Sequence, residues 1–222
     1  MWFAIKRRLD RYLLRDPAFR FVFDEPPLGE AVAIDCETTG LDPRRDDIVT
    51  VAAIPIRGSR ILASGRFEAM VKPEAQMKTE AIKIHRLREG DVAGGRTMED
   101  VLPELLRFIG SRPLVGYYLE FDVAMINKHA RRLIGIELPN RRIEVSGLYY
   151  ERKYGHAPPG VQIDLRFAAI LADLGLPVLD QHDAFSDALM TAMMYVALAD
   201  LKARNIRIRR QRAKPVAHFG GG

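Results

Sequence analysis

Ala31-Val32-Ala33-Ile34-Asp35-Cys36-Glu37-Thr38-Thr39-Gly40-Leu41-Asp42 is the stretch on which the fold turns. Residues 31–34 read as a short apolar strand. Asp35 and Glu37 follow two residues apart, so an extended backbone turns both carboxylates to one face and Cys36 to the other. Two acids side by side repel unless water, hydrogen bonds or a cation compensates, and a divalent cation answers that need most directly. Thr38, Thr39 and Gly40 close the strand with turn chemistry and leave the pair at its rim. Alone, such a pair is far more readily a solvated strand end, so its meaning depends on the rest of the chain.

Working outward, residues 48–57 and 61–71 are rich in β-branched and apolar side chains, with Arg57-Gly58-Ser59-Arg60 between them short enough for a hairpin. Three strands with tight connections predict an antiparallel start to a sheet. Residues 79–86 read as a short helix. Residues 97–109 read as a longer one, opened by the capping pair Thr97 and Asp100. Residues 114–117 predict a buried strand and 121–133 a helix with Asp122 in its first turn, where the helix dipole favours an anion. Residues 142–145 predict a further strand, 149–159 an irregular aromatic connection, 165–174 a helix stopped by Gly175, and 183–201 an apolar helix. Strands first, then helices alternating with short strands, indicate one α/β domain with a mixed sheet flanked by helices.

The chain has 222 residues, one cysteine and a net charge of +5, unevenly placed. Residues 1–20 carry +4 and residues 201–222 carry +7, leaving the middle at −6. An acidic body with basic ends suits a protein that holds cations centrally and meets a polyanion with its margins. The expected organisation is an amphipathic basic helix and linker over 1–30, with the helix packed back on the body, a domain over 31–201, and a basic tail over 202–222. The single Cys36 excludes an internal disulfide and a thiolate zinc cluster. No apolar run approaches about 18 residues, and Lys6, Arg7, Arg8 and Asp10 stand where a signal peptide would be apolar. A cytoplasmic protein without integral membrane association is expected.

Asp35, Glu37, Asp122 and Asp187 all fall at the start or end of an apolar element, with His182 just upstream of the last. The five-residue step from His182 to Asp187 places the histidine in a loop and the acid a turn inside the helix. Asp35-Cys36-Glu37-Thr38-Thr39-Gly40, then Phe121-Asp122, then His182 with Asp187, resemble in order the three motifs of the DEDDh 3′-to-5′ exonuclease superfamily, which includes the proofreading epsilon subunit of bacterial DNA polymerase III and ribonuclease T. The sister branch would carry Tyr where this chain has Asp183.

That resemblance implies a ribonuclease-H-like fold and two divalent cations, Mg²⁺ or Mn²⁺. It implies Asp35, Glu37, Asp122 and Asp187 as metal ligands and catalytic residues, Asp35 bridging the ions, and His182 as general base. Thr38, Gly40, Leu41, Glu80, His85 and Phe121 would contact the terminal nucleotide. The expected activity is release of nucleoside 5′-monophosphates from the 3′ end of single-stranded or frayed DNA, with a polymerase or repair protein as a possible partner. Several features depart from the pattern: Tyr118, after Tyr117, replaces a common Asn, Arg86 replaces a common Gly, Glu120 adds an acid beside the site, and the N-terminal helix and Arg-rich tail have no counterpart in a minimal domain. Competing expectations are an RNA or oligoribonucleotide 3′-exonuclease of the same mechanism, and a non-catalytic nucleic-acid-binding or partner-docking module. An aspartyl phosphatase would need a phosphate loop that is not present.

Overall fold

The computed structural model describes residues 2–180 and 182–209; the rest of the expected basic tail lies outside them. Strand β1, Glu30–Thr38, contains the acidic pair within its own length and pairs antiparallel with β2, Ile48–Arg57, in a register that sets Asp35 against Ala52 and Glu37 against Thr50. Gly58, at φ +59°, turns the chain into β3, Arg60–Ile61. The single strand expected over 61–71 is instead broken by a 3-10 turn at Ala63–Gly65, and β4, Phe67–Met70, returns to pair with β2. Small, turn-forming Ser64 and Gly65 account for the break. β5, Leu114–Gly116, runs parallel to β1, and β6, Arg142–Glu144, parallel to β5. The mixed sheet has the order β3-β2-β1-β5-β6, as expected from an antiparallel start.

The two faces of β1 set what covers each side. Val32, Ile34 and Cys36 enter a core with α4 (Met98–Ile109), α5 (Leu119–Leu133) and a 3-10 segment, Pro17–Phe23. Ala31 and Ala33 face α6 (Val145–Lys153), α7 (Phe167–Leu174) and α8 (Ala184–Ala203). Beside them Ala52 and Ile54 of β2 meet Ala184 and Ala188 of α8. Alanines on both surfaces let helix and sheet approach closely, which fixes the depth at which α8 carries Asp187 over β1. Ala188→Leu is therefore expected to cost about 1–3 kcal/mol by overpacking. Denaturant unfolding checks it; a loss below half that range would mean the contact can relax.

Three other expectations change. The connection expected to be irregular over 149–159 is so only from residue 154: α6 starts directly from β6 because Glu144 accepts from the Ser146 N–H (3.2 Å) and Oγ (2.8 Å), and Tyr149 is fully buried. The N-terminal helix, α1 (Trp2–Leu13), is present but docks through its polar side. Buried Asp10 pairs with Lys6 at 2.7 Å, and Arg7 donates to the Phe23 carbonyl at 2.8 Å. Phe19, Val22 and Phe23 already fill the apolar space beneath it, and Ile5, Leu9, Tyr12 and Leu13 face outward. Lastly, α8 is by length and composition apolar enough to cross a membrane, although no uninterrupted run suggested it. Its apolar residues pack on the sheet and on α6 and α7.

Candidate active site

Asp35 and Glu37 share the β1 face that α8 covers, and Asp187 descends onto them from the first turn of that helix. One oxygen from each of the three lies within 4.8 Å of the others. Asp183 caps α8 by accepting from the Ser186 N–H at 3.0 Å, a local role that the sequence comparison with a tyrosine at that position did not suggest. His182 is exposed and left-handed, φ +66°, and its backbone N–H donates to Asp187 Oδ2 at 3.1 Å. The histidine thus stands in a loop and the acid inside the helix. Asp187 Oδ1 is buried without a hydrogen-bond partner.

Asp122, 4% exposed, approaches from the start of α5 beside the Cys36 N–H; it adjoins the three-oxygen set rather than belonging to it. Burial raises its pKa, partly offset by that amide. Asp35 is half-buried, reachable by solvent yet largely surrounded by protein. Burial raises its pKa well above the ordinary carboxylate value, followed by the charges of Asp122, Glu37, Asp187 and Asp183. Burial, then Asp187 and Asp183, pushes Glu37 up to about 7. Burial likewise raises Asp187, against the stabilising His182 N–H. Such crowding among oxygen donors, with one buried oxygen unpartnered, fits a hard divalent cation held by Asp35, Glu37 and Asp187, with Asp122 adjacent.

A second network, not foreseen from the sequence, holds the rim. Thr38 Oγ1 donates to the Gly40 carbonyl at 2.7 Å, and Thr39 and Asp47 exchange backbone and hydroxyl hydrogen bonds. Lys78 pairs with Asp46 at 2.7 Å while its N–H bonds the Thr39 carbonyl, and Lys128 of α5 pairs with Asp47. Burial alone would raise Asp46 and Asp47, but these lysines and nearby amides hold both below the ordinary carboxylate value. Gly40 is required by close approach: a Cβ there would lie 2.5 Å from Asp46 Oδ2. At the other side, Glu144 Oε2 accepts from the Leu119 N–H at 3.0 Å, tying β6 to the start of the helix that carries Asp122.

Of the remaining expected residues, Leu41 projects into solvent (79% exposed), and Phe121 packs partly against the core. Glu80 is exposed in the first turn of α2 (Thr79–His85), and the structure gives it no bond to the acidic cluster. His85 is buried at that helix's end; its Nδ1 accepts from the Leu87 N–H at 3.1 Å. Its Nε2 faces the Thr38 carbonyl without reaching hydrogen-bond geometry, and burial, then His182, lowers its pKa. Tyr118 is left-handed, φ +57°, and 72% exposed where β5 ends beside the acidic end of β1, its ring 4.7 Å from that of Tyr117.

Arg86 caps α2 in the left-handed region, φ +61°, which explains why glycine is common at this place in the motif. Arg86→Gly removes the Cβ strain but loosens the unfolded chain, for an expected gain of about 0.5–1 kcal/mol. A thermal melt higher by about 2 °C checks this, and a lower melt would show that the arginine side chain holds the cap.

Residues 32–195 match the family described as RNase T, Exonuclease. The chain belongs to this exonuclease family. The epsilon subunit of DNA polymerase III from Aquifex aeolicus is 28% identical over 172 residues, covering 78% of this chain and 81% of that protein. The PolC-type DNA polymerase III of Thermotoga maritima is 25% identical over 201 residues, 87% of this chain but only 14% of the polymerase. Among solved structures, E. coli exonuclease I in complex with a dT13 oligonucleotide superposes with a TM-score of 0.66 at 16% identity, over 80% of this chain and 42% of that one. Exonuclease X in complex with 5′ overhanging duplex DNA gives 0.58 at 25%, over 80% and 95%. The ribonuclease-H-like fold and the expected enzyme class, a 3′-to-5′ exonuclease, agree with these relatives.

Proposed function

We propose that this exonuclease removes nucleoside 5′-monophosphates from the 3′ end of single-stranded or frayed DNA, using two divalent cations, Mg²⁺ or Mn²⁺. The observation that carries the reading is the three-carboxylate cluster with its unpartnered Asp187 Oδ1, set beside an exposed histidine in a left-handed backbone conformation. Asp35, Glu37, Asp122 and Asp187 would hold the ions, and Asp35, which feels the charge of each of the other three, would bridge them. When bound, the cations would neutralise charge developing on the attacking and leaving oxygens of the phosphodiester. His182 accepts the proton of the attacking water, and its exposed loop lets the imidazole reach a bound strand. Residues 31–201 carry this chemistry, with 1–30 and 202–222 as additions to it.

Thr38, Gly40 and Leu41 would border the 3′-hydroxyl and the last base, and Glu80, His85 and Phe121 the terminal nucleotide. Tyr118 offers an exposed ring for stacking on a base, held in a conformation that costs a non-glycine residue about 1–2 kcal/mol. The preference for DNA is supported by the DNA-bound exonuclease X, and the match to epsilon subunits supports a polymerase or repair protein as partner.

The test is digestion of 5′-labelled DNA and RNA oligomers of one sequence with Mg²⁺, Mn²⁺ or EDTA. Metal-dependent ladders shortening from the 3′ end, faster on DNA, are expected. Faster RNA cleavage moves the substrate class, and binding without cleavage leaves only a docking module.

A further inference from the structure

We propose that α1 is a docking helix for an anionic lipid surface, which holds the protein peripherally with its acidic cluster turned to solution. Amphipathic helices in globular proteins ordinarily bury their apolar stripe. Here Lys6, Arg7 and Asp10 contact the body, while Ile5, Leu9, Tyr12 and Leu13 form one outward stripe, 56%, 53%, 86% and 48% exposed. None of the four belongs to or packs against a buried hydrophobic cluster among the described residues.

Charge decides what covers it. The exposed residues beside the stripe are Arg8 and Arg11, and the one acid of the helix, Asp10, is buried against Lys6. The outward side is therefore apolar and cationic without a compensating carboxylate. Two copies meeting through it would repel. A nucleic-acid backbone would meet the arginines but gain nothing from four apolar side chains. An anionic bilayer satisfies both, taking the apolar side chains below the headgroups and pairing the arginines with phosphates.

Position agrees with this. The Arg15 N–H bonds the Ile134 carbonyl at 3.0 Å, so α1 ends at the C-terminal end of α5. Asp122 lies in the first turn of α5, roughly 16 Å away along its axis. The α5 end with α1 is also where β1 and β6 begin; there Leu28 is fully exposed, and Arg132 and Arg141 are exposed and outside any ion pair among the described residues. Cations and isolated apolar side chains thus share with the exposed acids Asp16, Asp24 and Glu25 the end of the sheet opposite the acidic cluster.

The test is co-sedimentation of the full chain with vesicles of phosphatidylcholine alone or with about a third phosphatidylglycerol. Binding to the anionic vesicles, weakened by salt and by Arg8→Glu with Arg11→Glu, is expected, with little on neutral ones. Leu9→Glu with Tyr12→Glu should lower the bound fraction about tenfold while oligomer cleavage in solution is unchanged, which shows the domain still folded. Undiminished binding of that variant would assign the attachment to the basic tail and overturn the role of α1. Absence of wild-type binding to either vesicle, including alongside capture of an acidic protein through the same stripe, would overturn the lipid assignment.

Discussion

Asp35→Asn is expected to lower turnover by about three orders of magnitude or more and, at the same time, to stabilise the metal-free protein at alkaline pH. The first effect follows from removing the carboxylate at the centre of the cluster, since a Lewis-acid cation supplies several kcal/mol of transition-state stabilisation. The second follows from the electrostatics. Burial and the charges of Asp122, Glu37 and Asp187 all resist ionisation of Asp35, and ionised Asp35 in turn resists ionisation of its neighbours. A carboxyl whose folded pKa lies above its unfolded value binds its proton more tightly in the folded state. Its contribution to stability is therefore greatest at low pH and is lost as pH rises.

For Glu37 the window runs from 4.5 to about 7, on the order of 3 kcal/mol if fully expressed. Calorimetric melts in EDTA should fall between pH 5 and pH 8, and Mg²⁺ or Mn²⁺ should recover more at pH 8 than at pH 5, because cation binding must displace those protons. In Asp35→Asn the fall with pH should shrink and the cation-induced gain should largely vanish. A metal-free variant that melts below the wild type at pH 8, or that keeps the full gain, would contradict this account of the cluster.

His182→Ala is expected to lower the single-turnover rate by about 10²–10⁴, the usual contribution of a positioned general base, without reducing the cation-induced gain in melting temperature. The distinction rests on which atoms the site loses. The His182 backbone N–H donates to Asp187 Oδ2, and that bond survives any substitution of the side chain that keeps the backbone in place. Because φ is +66° at this position, alanine adds strain of its own, so His182→Asn provides the control: asparagine tolerates the left-handed region. Equal losses of rate in both variants, with the cation response intact, identify the imidazole as the missing group. A rate near wild type in His182→Asn would show that backbone placement of Asp187, not proton transfer, is what this position supplies.

Much of this site was legible in local sequence. The step from Asp35 to Glu37 on an apolar strand, the first-turn position of Asp122, and the five-residue interval from His182 to Asp187 each depend on backbone periodicity, which neighbouring residues set. The split of the expected third strand at Ala63–Gly65 and the helical start of 149–159 were not legible. In the second case Glu144 caps the helix with side-chain bonds that residue preferences do not weigh. The rim network was also hidden, because Lys78 and Lys128 are ordinary surface lysines until the fold sets them against Asp46 and Asp47.

The sequence by itself determined which groups could do the chemistry, on which kind of element each stands, and the family motifs they compose. Only the tertiary structure decided that oxygens from residues 35, 37 and 187 lie within 4.8 Å, because that distance depends on how closely the alanines of α8 approach β1 and β2. It alone decided that α1 turns its apolar stripe to solvent. Amphipathic periodicity defines two faces of a helix, and the remaining free surface of the body, here carbonyls and a carboxylate over an already filled core, selects which face docks.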